Sequence, residues 1–472
     1  MACAWHAAKL RSLWKKPSNK LPPYLTRSLA TLASESSSLI SEPIDEEHLH
    51  SDRLKYFYPT KPGETLAGKY KTISKLGFGG ASTVWLAENV HFQRWKKSSS
   101  PRYVSIKIPA LDTDGPGEAA KLKVIASADP SHPGLSYVRV PIDTFQLQGP
   151  QGTHLCLVYQ PMRETLYQFQ RRMPRQRLLM MDFKLFLHLL LQALDYLHTG
   201  CNLIHTDIKD ENILMTIEDE QILSDFASHC RNNPQPRHIR AEDGRVTYLA
   251  EDDLGPLYPR GVSNVILPML SDFSASHAGL DGRSHIFPTQ SHCYRAPEVL
   301  LGCPWTYSID IWNVGLLMWD LLEDTTLFGQ RVGYVDGYDA HVHLARMVSL
   351  LGPPPEQLIE RERAYRKLQL GFEVVNSKGE KCGTMNEFWG GPFFDDNGDI
   401  IRKDLLEGGR PLADTVTELS GEEKVRFLDF ASQMLQWLPE KRKTARELLQ
   451  HPFFHHGHEK KEQDRCLEMC AM

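Results

Sequence analysis

The sequence lacks the patterns of several specialised protein classes. Its nine cysteines form no C-x-x-C pair and no zinc-ligand spacing, which favours free thiols in a reducing compartment over a disulfide framework. No apolar run approaches the roughly 18 residues that a membrane span needs, so the sequence predicts a soluble protein without such a span. The net charge of -5 is small for 472 residues and gives no reason to expect direct binding to nucleic acid.

The N-terminal segment is basic. Residues 1–34 hold six lysines and arginines and no acidic residue. This composition resembles a mitochondrial presequence, but Pro17, Pro22 and Pro23 would interrupt a long amphipathic helix. A disordered basic leader is the alternative. We therefore expect a cytoplasmic and/or nuclear protein, or a mitochondrial one if residues 1–34 act as a presequence.

The rest of the chain divides by its hydrophobic periodicity. Residues 70–108 alternate apolar and polar side chains, which predicts strands joined by turns, and from Met181 onward apolar residues recur at helical spacing. Because 472 residues are too many for one core, we expect an α+β protein with a small β-rich unit and a larger helical unit. The predicted boundaries are a disordered or targeting leader at 1–55, the β-rich unit at 56–160, the helical unit at 161–455 and a tail at 456–472.

A glycine cluster lies within the predicted strands. Gly77 and Gly79 fill the first two glycine positions of a G-x-G-x-x-G-x-V pattern, and Ser82 stands at the third. Such a loop lets backbone N–H groups approach phosphate oxygens, because no side chain holds the nucleotide away. Taken alone, the cluster is better explained by a plain hairpin turn. The candidate nucleotide-binding residues are Leu76, Gly77, Phe78, Gly79, Gly80, Ala81, Ser82, Thr83 and Val84.

Lys107 ends a strand-like segment that is similar to a V-A-I-K motif. A buried lysine needs a carboxylate partner and an anion to keep its charge. Glu118 is the candidate partner because it begins a helix-like segment, whereas Asp112 and Asp114 lie in a loop rich in Gly and Pro. The alternative is that both residues are ordinary surface charges. We predict that Lys107 binds phosphate and pairs with Glu118.

Residues 203–214 carry the pattern that decides the chemistry. His205, Asp207 and Asn212 match the catalytic loop H-R-D-x-x-x-x-N of protein kinases. In that loop the aspartate accepts the proton of the substrate hydroxyl, and the asparagine supplies an oxygen to a metal ion. Lys209 would neutralise the γ-phosphate during transfer, and this D-x-K pattern resembles serine/threonine kinases rather than tyrosine kinases.

Two further motifs are structural. Residues 296–298 resemble the A-P-E motif that ends the activation segment of kinases, and Glu298 then needs a buried cation, for which Arg442 is the candidate. Residues 310–315 look like the helix whose aspartate supports the catalytic loop. Kinases of small molecules share the aspartate and asparagine chemistry but lack these two motifs, so a small-molecule phosphotransferase is disfavoured.

Two segments compete for the metal-binding aspartate of a D-F-G motif. Asp225 follows Asn212 at a spacing that is common in kinases, whereas Asp272 follows an apolar strand-like segment and precedes the A-P-E motif by a normal distance. We favour Asp272. This choice predicts that Asn212 and Asp272 bind Mg²⁺ and that an insertion lies near residues 226–264. Ser274 replaces the D-F-G glycine and restricts φ at a hinge, so we expect the activation segment to move differently.

Together these residues resemble the eukaryotic protein kinase superfamily over residues 70–454. Residues 205–209, 310–315 and 350–355 look like the SR-protein kinase family, especially its short fungal members. The resemblance implies a bilobal fold, ATP and Mg²⁺ as cofactors, adenine binding by the backbone near residues 159–162, and a monomer that phosphorylates serine in Arg/Ser-rich proteins. The alternatives are a pseudokinase scaffold and a kinase of another class of basic substrate.

Overall fold

The computed structural model describes residues 39–49, 52–93, 101–257, 265–279, 285–329, 338–406 and 408–454. The predicted tail and the possible presequence at residues 1–34 lie outside these ranges. The strands are β1 (Leu39–Ile40), β2 (Thr65–Leu66), β3 (Tyr70–Gly79), β4 (Ser82–Asn89), β5 (Tyr103–Pro109), β6 (Asp143–Gln148), β7 (Thr153–Tyr159), β8 (Leu203–Ile204), β9 (Ile213–Met215), β10 (Arg237–Ile239), β11 (Val246–Tyr248), β12 (Pro268–Leu270), β13 (His277–Ala278), β14 (Val374–Val375) and β15 (Lys381–Cys382).

The helices lie mainly in the second half of the chain. They are α1 (Gly115–Ser127), α2 (Leu166–Arg172), α3 (Met180–Asp195), α4 (Gln221–Asn232), α5 (Pro297–Leu300), α6 (Ser308–Glu323), α7 (Ala340–Leu351), α8 (Glu356–Tyr365), α9 (Met385–Trp389), α10 (Gly421–Ser432) and α11 (Ala445–Leu448). None of the helices that the structure describes is long and apolar enough to cross a membrane.

A six-stranded antiparallel sheet in the order β2-β3-β4-β5-β7-β6 forms the small lobe with α1. Successive side chains of β5 point to opposite faces, so Ile106 and Ile108 face one way and Lys107 the other. Ile106 and Ile108 pack in an apolar cluster with Trp85 and Val158. This alternation directs Lys107 away from that cluster, toward Glu118 of α1 and Asp272 of the large lobe.

The large lobe is built around two apolar helices, α3 and α6. The predicted buried face of α3 is confirmed, because its apolar residues at helical spacing are all buried. Fifteen of the sixteen residues of α6 are buried, as expected for a helix at the centre of a lobe. The α+β class and the division into a small β-rich part and a larger helical part are therefore confirmed.

The structure corrects the predicted leader. Residues 39–49 and 52–55 belong to the fold: Leu39–Ile40 pairs in parallel with β10, and Ile44 and Leu54 are buried. Residues 39–55 contain few hydrophobic side chains, so their sequence does not indicate a folded segment. Their partners also lie far along the chain.

The insertion begins before the predicted range of 226–264, because α4 already starts at Gln221. The main-chain path leaves the catalytic loop after β9, runs through α4 and the β10–β11 hairpin, and returns in β12, which pairs with β9. The amphipathic helix α4 packs Leu223 and Phe226 against Ile73 and Leu86 of the small-lobe sheet. The small lobe therefore has a second packed helix, which the sequence analysis did not predict.

Candidate active site

Lys107 joins both lobes at the centre of the candidate site. Its Nζ lies 2.7 Å from Oε1 of Glu118 and 3.1 Å from Oδ1 of Asp272. Glu118 reaches this point because α1 begins at Gly115, where the side chain of Asp114 accepts a hydrogen bond from the N–H of Gly117. The three residues that the sequence predicted on separate segments are thus brought together.

The charges in this cluster stabilise one another. Burial lowers the pKa of Lys107, but the nearby charges of Asp272 and Glu118 outweigh it and raise that pKa above its usual value. Burial would raise the pKa of Asp272, but Lys107 and a hydrogen bond from Ser274 hold it well below its usual range. Both groups are therefore charged at neutral pH.

Asp272 presents one carboxylate oxygen to its protein neighbours. Lys107 and the hydroxyl of Ser274, at 2.9 Å, both donate to Oδ1, whereas Oδ2 accepts no hydrogen bond from the described residues. The left-handed backbone angle occurs at Asp272 (φ 62°) and not at Ser274. The serine that replaces glycine therefore sits at this position without a positive φ, and its side chain helps to orient the aspartate.

The catalytic loop forms a second cluster around Asp207. Its Oδ2 accepts a hydrogen bond from Nδ2 of Asn212 (2.9 Å) and lies 3.0 Å from Nζ of Lys209. Its Oδ1 accepts a hydrogen bond from Oγ of Ser291 at 2.6 Å. Burial would raise the pKa of Asp207, but Lys209 and Ser291 lower it below its usual value. Asp207 is therefore an ionised carboxylate, as a proton acceptor must be.

Asp310 supports the catalytic loop through hydrogen bonds to the loop backbone. Its carboxylate accepts hydrogen bonds from the backbone N–H groups of His205 and Thr206, each at 2.8 Å, and lies 2.9 Å from Nε2 of His198. The carboxylate is fully buried, and these three contacts satisfy it. The predicted supporting role of residues 310–315 thus has a direct geometric basis.

Asp225 lies away from this site. It is exposed on α4, where its Oδ1 accepts a hydrogen bond from Nε2 of Gln221 at 2.8 Å. The neighbouring Phe226 points inward to the small-lobe sheet. The resemblance of this segment to a D-F-G motif therefore comes from the apolar pattern of a surface helix.

The glycine cluster forms the hairpin between β3 and β4. The pairs Gly77–Val84 and Gly79–Ser82 lie opposite each other, and Gly80 and Ala81 form the turn. A Cβ atom at Gly77, Gly79 or Gly80 would meet no heavy atom within 4 Å. The space beside these glycines is open, which fits a loop that admits a phosphate-bearing ligand.

Glu298 and Arg442 form the predicted buried ion pair. Two guanidinium nitrogens of Arg442 donate to the two carboxylate oxygens of Glu298 at 2.6 and 2.7 Å, and both side chains are fully buried. Arg442 also donates to the backbone carbonyls of Gln436 and Ser308. The pair connects α5, at the end of the activation segment, to the C-terminal part of the large lobe.

The protein kinase domain family matches residues 70–256 and 262–454. This chain belongs to that family. A serine/threonine protein kinase of Aspergillus fumigatus is 34% identical over 411 residues, which cover 87% of this chain and 90% of the relative. The serine/threonine-protein kinase SRPK of Physarum polycephalum is 29% identical, over 84% of this chain and 88% of the relative. The mouse SRSF protein kinase 3 is 34% identical, with the same two coverages.

These relatives confirm the predicted serine/threonine protein kinase activity and the resemblance to SR-protein kinases. The fold of the kinase is also that of a solved structure, the PF14_0431 kinase domain, with a TM-score of 0.57 and 20% identity over 84% of this chain and 99% of that one. Protein kinases act on proteins and generally use ATP and Mg²⁺.

Ser291 is a site residue that the sequence analysis missed. It contacts Asp207 and accepts a hydrogen bond from Nζ of Lys209 at 3.2 Å. It lies shortly before the A-P-E motif, and that position is the one signal that could have indicated it.

Thr206 supports a prediction about regulation. It replaces the arginine of H-R-D, which in many kinases binds a phosphorylated residue of the activation segment. Here Oγ1 of Thr206 instead donates to the backbone carbonyl of Ala275 at 2.9 Å, so a neutral hydroxyl links the two segments. We expect phosphatase-treated enzyme to keep most of its activity toward a peptide substrate. Loss of nearly all activity, regained when the segment is phosphorylated again, would contradict this expectation.

Proposed function

We propose that this kinase uses ATP and Mg²⁺ to phosphorylate serine in Arg/Ser-rich proteins, and that it acts as a monomer. The observation that carries the catalytic part of the proposal is the contact of Lys107 with both Glu118 and Asp272, beside an ionised Asp207. A pseudokinase scaffold would normally lack one of these groups or hold them apart.

The residues at the site fit a nucleotide and a hard cation. The oxygens of Asn212 and Asp272 suit Mg²⁺, which is commonly held by one or two protein oxygens together with phosphates and waters. When bound, Mg²⁺ would offset the negative charge of the β- and γ-phosphates. Lys107 would bind phosphate oxygens, and the backbone N–H groups of residues 76–84 would cover them.

The side chains around Asp207 would perform the remaining work. Asp207 would orient the serine hydroxyl and accept its proton, and Lys209 would neutralise charge on the transferred group. Ser291 and Asn212 hold the two oxygens of the Asp207 carboxylate in fixed directions. Most of the catalysis would come from positioning and from charges fixed before the reaction begins.

The names of the relatives support the Arg/Ser-rich substrate class. An acidic loop at residues 395–399 supports it less than its composition suggests. Oδ1 of Asp395 accepts hydrogen bonds from the N–H groups of Asn397 and Asp399, and Asp399 pairs with Lys403 at 2.8 Å. These two carboxylates are already engaged by groups within the loop or just after it.

We expect faster phosphorylation of serine flanked by arginine than of serine followed by proline. The experiment compares kcat/KM for an Arg/Ser peptide, a Pro-directed peptide and a generic basic protein, with radiolabelled ATP. A preference of about tenfold or more for the Arg/Ser peptide corresponds to about 1.4 kcal/mol of differential binding in the transition state. Equal kcat/KM values for the Arg/Ser and Pro-directed peptides would contradict the substrate class. A kcat/KM for the basic protein that equals that for the Arg/Ser peptide would favour a broader class of basic substrates.

A further inference from the structure

Lys75, two residues before Gly77, is held by groups from outside the β3–β4 hairpin. Its side chain is completely buried. Its Nζ contacts Oδ2 of Asp45 at 2.8 Å, the carboxylate of Glu46 and the backbone carbonyl of Tyr248 at 2.9 Å. The same ammonium lies 5.2 Å from the centre of the ring of Phe78, at the tip of the hairpin.

The backbone of Lys75 is also held. Its N–H donates to Oε1 of Gln235 at 3.0 Å, and Nε2 of Gln235 donates back to its carbonyl at 2.8 Å. Lys75 pairs with Trp85 of β4 on one side, but on the other side of β3 the strand β2 pairs only with Tyr70 and Lys71. Gln235, which is buried in the insertion, therefore supplies hydrogen bonds where the sheet does not.

Arg53 holds the other end of the glycine loop. Its Nη1 donates to the backbone carbonyl of Gly80 at 2.8 Å, and its Nε lies 2.6 Å from Oδ2 of Asp112. Asp112 lies just before α1, which carries Glu118. Arg53 therefore ties the turn of the glycine loop to the segment that leads into the helix of the catalytic glutamate.

The insertion is anchored on the large lobe as well. Arg163, whose side chain is buried, lies 2.8 Å from Oε1 of Glu218 and donates to the backbone carbonyl of Gly255 at 2.8 Å. Glu218 precedes α4 and Gly255 follows the β10–β11 hairpin. Residues 218 and 255 of the insertion are thus held beside the link between the lobes, while residues between them contact β3.

We propose that Arg53, Lys75 and Gln235 are positioning residues that hold the glycine-rich loop in its nucleotide-binding conformation. We name residues 44–49 and 52–53, together with residues 235–250 of the insertion, the loop brace. A flexible loop loses conformational entropy when it closes over phosphates, and holding it in place beforehand reduces this cost. The loop brace therefore raises nucleotide affinity without supplying a ligand to the phosphates. The proposal rests on the proposed function, in which the nucleotide binds beneath this loop.

The test uses the full chain and the variants Arg53→Met and Gln235→Leu. We expect each to raise the Kd for ADP, measured by calorimetry, and the KM for ATP by about tenfold. At saturating ATP, kcat should stay within about twofold of wild type, because Asp207, Asn212 and Lys107 are unchanged. If the residues had only a structural role, the variants would have a lower melting temperature, but KM would not rise while kcat stayed unchanged.

Arg231→Met is the matched control. Arg231 lies on α4 and pairs with Glu88 at the far end of β4, away from the glycine loop, so its loss should leave both constants unchanged. Lys75→Met is avoided, because it would leave Asp45 and Glu46 buried without their cation.

The outcomes separate this proposal from the proposed function. If wild type binds ADP and both folded variants bind it equally well, the loop brace does not position the loop and the kinase assignment stands. If Gln235→Leu fails to fold, Arg53→Met decides alone. If wild type itself binds no ADP, the proposed nucleotide and the role of the loop brace are both overturned.

Discussion

Asp272→Asn is expected to lower kcat by about 100-fold or more at saturating ATP, while Asp225→Asn retains close to wild-type turnover. Asp272 lies 3.1 Å from Lys107, and its Oδ2 is open to a cation. An amide at this position would lose the negative charge that balances Mg²⁺ and would weaken the contact with Lys107. Asp225 is exposed on α4, where its carboxylate accepts a hydrogen bond from Gln221, one helical turn away.

Thermal melting of both variants controls for instability. Each replacement keeps the shape of the side chain, so both melting temperatures should remain close to that of wild type. An inactive Asp225→Asn beside an active Asp272→Asn would show that the activation segment starts at the other D-F-G-like motif. That result would also mean that the residues between β9 and β12 belong to the activation segment and are not an insertion before it.

Asp207→Asn is expected to lower kcat by about 10²- to 10⁴-fold with a smaller change in the KM for ATP. The amide cannot accept the proton of the serine hydroxyl. Its NH₂ group would also face a donor, because Ser291, Lys209 and Asn212 all direct donors at the Asp207 carboxylate. The base and its orientation would be lost together.

Glu211→Gln is the comparison for Asp207→Asn. Glu211 is a half-exposed carboxylate that lies 3.5 Å from Nζ of the same lysine, Lys209. Its replacement should lower kcat only a few-fold, because an exposed ion pair contributes about 1 kcal/mol or less. Similar losses in the two variants would show that the rate depends on the charge around Lys209 and not on a base at Asp207.

The sequence predicted those parts of the site that are encoded by local patterns. The pairing of Lys107 with Glu118 follows from a strand that ends in lysine and a helix that begins nearby. The catalytic loop is a continuous motif whose chemistry requires fixed residue types. The choice of Asp272 over Asp225 required only an apolar strand and a distance to the A-P-E motif. The structure brings Asp272 to Lys107, whereas its role as a metal ligand stays a prediction.

The parts that the sequence did not predict depend on distant partners. Lys75 and Gln235 are 160 residues apart, and Ala250 and Asp45, which share a hydrogen bond, are 205 residues apart. No periodicity within either segment indicates such contacts. The sequence analysis predicted no helix at α4, and nothing in that segment identifies the small-lobe sheet as the surface that it covers.

The hinge at Ser274 shows a different limit. The sequence shows that serine replaces glycine, which predicts restricted φ at that residue. In the structure the left-handed angle lies two residues earlier, at Asp272, and the serine hydroxyl contacts the Asp272 carboxylate. Phe273, which lies between these two residues, is buried, and its ring contacts that of His205. A backbone angle depends on the packing around it, so the motif alone does not determine it.

The central claim is that the chain is a catalytically active protein kinase that phosphorylates serine. The most direct measurement incubates the purified full-length protein with Mg²⁺, γ-labelled ATP and an Arg/Ser peptide, and identifies the phosphorylated amino acid. Asp207→Asn, prepared in parallel, excludes a contaminating kinase. The account predicts phosphoserine in the peptide, formed over many turnovers by wild type and at least about 100-fold more slowly by the variant. Nucleotide binding by wild type with no transfer above the level of Asp207→Asn would contradict it and would favour a pseudokinase scaffold.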